Sequence, residues 1–503
     1  MNVGSVLSRN AVIFKNKPAI WFYNQSVTWD DLNRKSNQAA HAFKERGIKK
    51  GDVVALVTEN CVEMVEIIFG LAKLGAISYP VNTRLSVETI QQLVDLSQAK
   101  LLVVQQSLLP LVPEFSQPNS SQCMVIGVSK TLANYDDAIE GRSTEDPEGI
   151  VNSEDIFILF GTGGTTGLPK LVALSHQASM VNAMNMICDY GFTCSDVGLQ
   201  VLPLYHVVFN TLFLPYVFVG ASVVMLDVFN PEAILQNVAE RGVTIFSIVP
   251  PVLINRFESA ATHYDLSSVR YFLTAAASFS PELKRKTQAL FSNTRLGYSY
   301  GLSEMGGGNV TILDPNHQFT KDGSIGVVTK TLNWRVVQDN GDDVPKGTIG
   351  ELVLNGPTMM TGYYRNETAT KDTVRDGWCY TGDLVREDSD GYLYLVDRRK
   401  NMIKTGGENV YAKIVEDYLT NHPQVVEAAV LGLPDPQWGE QVVAVVVARD
   451  GVQLNESEVV EFCKAGLARY EVPKRVVFVS ELPRNSSGKV VKSMLRSIVM
   501  GET

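Results

Sequence analysis

From Thr28 onward the chain alternates short apolar, β-branched runs with longer segments that carry helix punctuation, and this alternation limits the folds open to it more than any other feature. TWDDLNRKSNQAAHAFKERG has a capping threonine at Thr28, an acid at Asp31 and Gly47 at its end, the pattern of a helix. VVALV (Val53 to Val57) reads as a short buried strand and MVEIIFGLAKLG as a helix stopped by Gly75. KLLVV, ASVVML, VTIFSIV and VRYFLTA repeat the theme. A helix between successive strands returns the chain to the same end of the sheet, so this part predicts a large α/β body of mostly parallel sheets flanked by helices.

The texture changes after about residue 320. IGELVLNG, DGWCYTGD and DGYLYLVD are short strand-like runs between glycine turns, which predict a small antiparallel sheet or barrel. Beyond Asp397-Arg398-Arg399-Lys400 come a helix near Ile414 to Leu419, strands at Val425 to Leu431 and Val442 to Val447, a helix from Glu456 and a strand at Val476 to Val479. That order suits a compact α+β domain of roughly 100 residues. With 503 residues in all, the expected division is an N-terminal domain over 1–397 and a C-terminal domain over 398–503.

A formal net charge of -10 and only short basic patches, such as Lys49-Lys50, exclude a nucleic-acid binder, which needs clustered cations. The six cysteines form no CxxC pair, so reduced thiols and no zinc site are expected. No uninterrupted apolar stretch approaches the length of a transmembrane helix and no signal-peptide pattern opens the chain. A cytoplasmic protein is the expectation.

Chemistry first shows in GTGGTTGLPK (Gly161 to Lys170), between DIFILF and LVAL. A Walker loop would place Ser or Thr after the lysine and open a helix, whereas here strand-like residues follow and helix signals wait until Ser175. The loop therefore joins strand to strand. Its glycines, Gly163, Gly164 and Gly167 among them, let backbone approach an anion. Thr162, Thr165 and Thr166 add hydroxyl donors and Lys170 a charge, as a clamp on nucleotide phosphates requires. On residue types alone, a flexible glycine turn with a solvated lysine is an equal reading.

FGTGGTTGLPK resembles the phosphate loop of the adenylate-forming superfamily, in its acyl-CoA synthetase branch. YGLSE (Tyr300 to Glu304), GELVLNGPTMMTGYY (Gly350 to Tyr364), WCYTGD (Trp378 to Asp383), DRRKNMIKTGGENVY (Asp397 to Tyr411), GLPDPQWGE (Gly432 to Glu440) and LPRNSSGKVVK (Leu482 to Lys492) resemble its further blocks, in the family's order.

The resemblance implies ATP, Mg2+ and coenzyme A as cofactors, and a small carboxylic acid, fatty or otherwise apolar, as substrate. It implies that Lys489 contacts acid and α-phosphate, that Glu304 with Thr165 holds Mg2+, and that Ser303 lies near the phosphates. Asp383 and Arg398 would hold the ribose, Tyr300 would stack on adenine, and His206 would line the junction of acyl group and phosphate. Lys400 would be the hinge of a mobile C-terminal lid, Lys404 would serve the thioester step, and Gly406 and Gly407 would line the coenzyme A tunnel. Val207, Val208, Asn210, Thr211, Ala275, Ala276, Ala277, Met305 and Gly306 would form the acyl pocket. Leu171, Ala275 to Ser278, Asn401, Ala412 and Ile414 depart from the residues most frequent in that family. Three outcomes stay open: an acyl-CoA ligase, an adenylating enzyme that loads an acyl carrier protein, and a non-catalytic nucleotide-binding protein.

Overall fold

The computed structural model describes residues 2–162, 169–249, 251–449, 451–452, 454–484 and 490–501. Contacts divide the chain into two units, Met1–Thr162 with Leu168–Trp334 and Leu354–Cys379, and Arg335–Val353 with Tyr380–Thr503.

Two sheets organise the first unit. The nine-stranded one runs in the order Val327–Val328, Gly307–Leu313, Arg295–Leu302, Tyr271–Ala275, Ile245–Ser247, Val197–Gln200, Ser222–Met225, Pro18–Phe22, Gln25–Thr28. It is parallel from Arg295–Leu302 through Pro18–Phe22 and antiparallel at both edges. The eight-stranded sheet runs Gly362–Tyr363, Leu171–Ser175, Ile156–Gly161, Ile77–Pro80, Val53–Val57, Leu101–Gln105, Cys123–Ile126, Ala133–Asn134. Its first two pairings are antiparallel and the rest parallel.

The period of two along a strand sorts side chains between cores. In Ser222–Met225, Val223 and Met225 enter a cluster shared by both sheets, with Phe43, Phe69, Phe157 and Phe209, while Val224 enters a second cluster with Phe246, Phe257, Phe272 and Phe291. A third cluster, holding Ile90, Leu93, Leu159 and Leu171, covers the eight-stranded sheet. The expected helix after Thr28 spans Trp29–Glu45, and the Thr28 hydroxyl accepts from Asp31 N–H at 3.1 Å. The helix Val3–Ile13, which has no acid in its first turn and no base in its last, was not among the expected elements.

The strand Trp378–Glu387, most of which lies in the second unit, pairs with Ile349–Asn355 and, antiparallel, with Leu393–Arg398, as the short runs between glycines predict. A further five-stranded sheet joins Glu408–Val410, Ile403–Thr405, Gly439–Ala448 and Val425–Asp435, with Arg475–Phe478 parallel to Gly439–Ala448. Its faces divide the same way: Val442, Ala444 and Val446 pack with the helix Ala412–Thr420, and Val443 and Val445 with the helix Lys492–Met500. Among the described residues no helix is long and apolar enough to cross a membrane.

Candidate active site

Three of the predicted features follow the carboxyl ends of parallel strands in the nine-stranded sheet, where open α/β sheets hold their ligands. Tyr271–Ala275 runs into Ala275-Ala276-Ala277, its neighbour Arg295–Leu302 carries Tyr300 and runs into Ser303–Met305, and Val197–Gln200 leads to His206. Gly301 is required here by crowding. A Cβ at 301 would lie 2.1 Å from the carbonyl oxygen of Gly307, in the adjacent strand.

The predicted phosphate loop is an antiparallel connection, since Ile156–Gly161 pairs with Leu171–Ser175. Its base is zipped: Thr162 N–H donates to the Lys170 carbonyl at 2.9 Å, and Lys170 N–H donates to the Thr162 hydroxyl at 3.2 Å. Gly163, Gly164, Thr165, Thr166 and Gly167 lie outside the described residues, as does Lys489. The helix that follows begins at His176, with the Ser175 hydroxyl accepting from Ala178 N–H at 3.1 Å.

Lys170 and Glu304, far apart in sequence, meet at Tyr363. The phenol donates to Glu304 Oε1 at 2.7 Å, and Lys170 Nζ stands 4.5 Å from the centre of the same ring. Burial first, and then the Glu304 charge, push the Tyr363 hydroxyl far above its ordinary pKa, so it stays a donor. Mg2+ prefers hard oxygen, typically one or two carboxylates completed by substrate phosphates, and Glu304 beside Ser303 fits such a role. The GYY of the sequence held this signal, but a tyrosine in a strand-like run reads as core.

The candidate acyl-pocket residues fall in two groups. Val207, Val208, Asn210 and Thr211 belong to a turn and a short π-helix, Phe209–Phe213, and Thr211 Oγ1 accepts from Gly308 N–H at 2.8 Å, which brings this segment against Met305 and Gly306. Asn210 is fully buried and donates to Ser179 Oγ at 3.0 Å, so it belongs to the wall's frame. The second group is the alanine turn, where Ala277 N–H donates to the Ala275 carbonyl at 2.9 Å and Ala276 has φ +66. The segment before His206 is pinned by Asn60, which donates to the carbonyls of Leu202 and Leu226 and accepts from Leu204 N–H at 2.8 Å. Asn60 escaped the sequence reading because its partners are more than 140 residues away.

In the second unit Asp383 and Arg398 are directly opposed across an antiparallel pair, with Arg398 Nε 3.0 Å from Asp383 Oδ1. Asp383 is almost wholly buried and Arg398 half exposed, so the pair presents its cationic edge outward. Arg398, Arg399 and Lys400 line a cleft of about 490 Å3 with Thr381 and Gly382. Burial, followed by repulsion from Arg398, lowers the pKa of Lys400. Glu351, absent from the sequence reading, holds the floor: it accepts from Gly382 N–H at 2.9 Å and from Arg399 Nη1 at 2.5 Å. A buried carboxylate with two donors fixes both strands at this cleft.

Lys404 lies in Ile403–Thr405 with its side chain exposed, and its N–H donates to Glu440 at 2.8 Å. Gly406 and Gly407, at φ +60 and +87, form the two-residue turn between Ile403–Thr405 and Glu408–Val410. A tight hairpin of this kind needs positive φ at both central residues, which accounts for the glycine pair on backbone grounds.

The sequence profile of the AMP-binding enzyme family matches residues 7–364, and that of the AMP-binding enzyme C-terminal domain matches residues 414–489. A feruloyl-CoA synthase from an Amycolatopsis species is 32% identical over 500 residues, 98% of each chain. Among solved structures, the Mycobacterium tuberculosis fatty acyl CoA synthetase is similar with a TM-score of 0.82 and 30% identity, over 100% of this chain and 99% of that one. The Bacillus subtilis o-succinylbenzoate CoA synthetase, in complex with its acyl-adenylate intermediate, is similar with a TM-score of 0.87 and 27% identity, over 98% and 97% of the two chains.

Proposed function

The chain belongs to the family of AMP-binding enzymes, and from that membership we propose that it is an AMP-forming acid–CoA ligase. The carboxylate of the acid attacks the α-phosphorus of ATP, forming the acyl–phosphate bond and releasing pyrophosphate. The thiol of coenzyme A then attacks the acyl carbon, loses its proton and displaces AMP. The protein's share is position and positive potential.

The meeting of Lys170 and Glu304 at Tyr363 carries this reading, because it joins three distant sequence blocks in one patch of opposite charges suited to a metal-bound polyphosphate. Thr162 and Lys170 serve the phosphates, and Tyr300 serves the adenine. Glu304, with Thr165, would hold Mg2+, which neutralises phosphate charge when bound, and Ser303 lies near the phosphates. Asp383 accepts from the ribose hydroxyls while Arg398 fixes its carboxylate. Lys489 stabilises charge in the first step, and Lys404 with the Gly406-Gly407 turn serves the second. Residues 398–503 turn as a lid about Lys400.

The acid is neutral and mainly apolar. Val207, Val208 and Ala275 to Ala277 bring no charge to the wall, and the similarity to feruloyl-CoA synthase makes aromatic acids the first to try, ahead of fatty acids. The test is pyrophosphate release over a ladder of aromatic and aliphatic acids, with and without coenzyme A. The proposal predicts acid-dependent release, and a thioester only when coenzyme A is present. Absence of acid-dependent release across the ladder would overturn it.

A further inference from the structure

Tyr363 is firmly held. It is buried, its strand pairs with Leu171–Ser175 so that it faces Val172, and its N–H donates to the Thr370 hydroxyl at 2.9 Å. A buried phenol needs a partner for its hydroxyl, and here that partner is the Glu304 carboxyl group. Glu304 is tied to the same stretch of chain a second time, through its carbonyl, which accepts from Met360 N–H at 2.8 Å. The ring face, meanwhile, receives the ammonium of Lys170.

One aromatic side chain therefore takes up a cation on its face and an anion at its edge. With the ring gone, a lysine and a glutamate that both touch it would be free to pair directly, and each would spend its charge on the other. We propose that Tyr363 is a positioning residue of the triphosphate end of the nucleotide site: it keeps Lys170 and Glu304 from pairing, so that the ammonium stays available to phosphate and the carboxylate to a divalent cation. The inference rests on the roles given to Lys170 and Glu304 in the proposed function. It adds a residue that touches neither reacting atom yet decides whether both charges are in place.

Two substitutions separate the two contacts. Tyr363→Phe keeps the ring under Lys170 and removes the hydroxyl from Glu304, whereas Tyr363→Leu removes both. The readout is equilibrium binding of ATP by titration calorimetry, without acid or coenzyme A, over a series of free Mg2+ concentrations and in excess EDTA.

For Tyr363→Phe the Mg2+ concentration at half-effect should rise roughly tenfold, the size of one hydrogen bond to a charged group. Binding in EDTA and the thermal midpoint should stay near those of the parent. Tyr363→Leu should in addition weaken binding in EDTA severalfold. In a Glu304→Gln background, Tyr363→Phe should no longer alter the Mg2+ dependence. A Tyr363→Phe titration that superimposes on a Mg2+-dependent parent overturns the positioning role, as does a shift that persists in Glu304→Gln. A parent that binds ATP equally with and without Mg2+ overturns instead the metal role of Glu304, and this proposal with it.

Discussion

Replacing each alanine of the turn at 275 to 277 by glycine, one at a time, should give effects of opposite sign. Ala276 has φ +66, and the 2.9 Å bond from Ala277 N–H to the Ala275 carbonyl closes a three-residue turn around it. An L-residue held in the left-handed region costs roughly 1–2 kcal/mol, and turns this tight lie at the strained end. Tyr298 keeps the turn in place, since its buried hydroxyl donates to the Ala277 carbonyl at 3.1 Å. Glycine at 276 removes the clash but adds about 0.5–1 kcal/mol of freedom to the unfolded chain, leaving a net gain of about 1 kcal/mol or less. In a body of this size that is a rise of about 1–2 °C in Tm. Ala275 and Ala277 are not among the positive-φ residues, so glycine there should only add unfolded-state freedom and lower stability by about 0.5–1 kcal/mol. Scanning calorimetry of the three variants beside the parent reads the pattern. If Ala276→Gly is destabilised like its neighbours, no strain is stored at this turn.

Asp383→Ala should raise the apparent KM for ATP about tenfold or more, as loss of a charged acceptor does, with the far-UV spectrum unchanged; an unaltered KM would place the ribose elsewhere. Lys400→Pro fixes φ near roughly -65° and should leave acyl-AMP formation intact while slowing thiol transfer sharply, and equal rates in both half-reactions would remove the hinge from this residue. Burial drives Glu66 up to about 7, although Tyr135 donates to it at 3.0 Å, and drives His176 down to about 4. Glu66 is easier to protonate in the fold, so its contribution is present at low pH and lost as pH rises to 7. His176 is harder to protonate in the fold, so its contribution is gained as pH rises from 4 to 6.5. Each spans about 3 kcal/mol and they oppose, so Glu66→Gln should unmask a stability that rises from pH 4 to 6.5 in urea titrations; a variant profile matching the parent's would refute the Glu66 shift.

The parts of this fold that are legible in the sequence are those set by local pattern. Val53 to Val57 can only be a buried strand, and Thr28 and Ser175 start helices because each hydroxyl reaches an N–H three residues on. The strands around Gly406 and Gly407 were missed because three residues each carry too little periodicity, though the glycine pair is itself a hairpin signal. At the site, Lys170 could be read from the glycine–threonine loop that carries it, whereas Glu304, Asp383 and Arg398 were named through resemblance, since a lone charged side chain has no local signature. Tyr363, Glu351 and Asn60 were missed for a different reason. Their roles come from pairings across 59, 31 and 144 residues, and a sequence shows such pairs only once the sheets have folded.

The departures from the family's frequent residues gain a common physical account around Asp397. This buried carboxylate accepts from Arg398 N–H at 2.6 Å, from Asn401 Nδ2 at 3.4 Å and from Lys413 N–H at 3.0 Å. An aspartate at 401 would set a second negative charge against it, whereas asparagine offers a donor. The helix Ala412–Thr420 has no side-chain cap from Tyr411 and no acid in its first turn, because isoleucine stands at 414. Asp397 reaches across from the end of Leu393–Arg398 and supplies the missing negative charge at the helix N-terminus. Ala412 at the first helical position gives up only the preset φ that proline would bring. The three changes thus leave the helix capped from outside itself, by a residue on the other side of Lys400. A rotation about Lys400 therefore has to release the Asp397–Lys413 bond. If the hinge proposed at Lys400 operates, these three departures concentrate on one bond that the lid would have to break and remake.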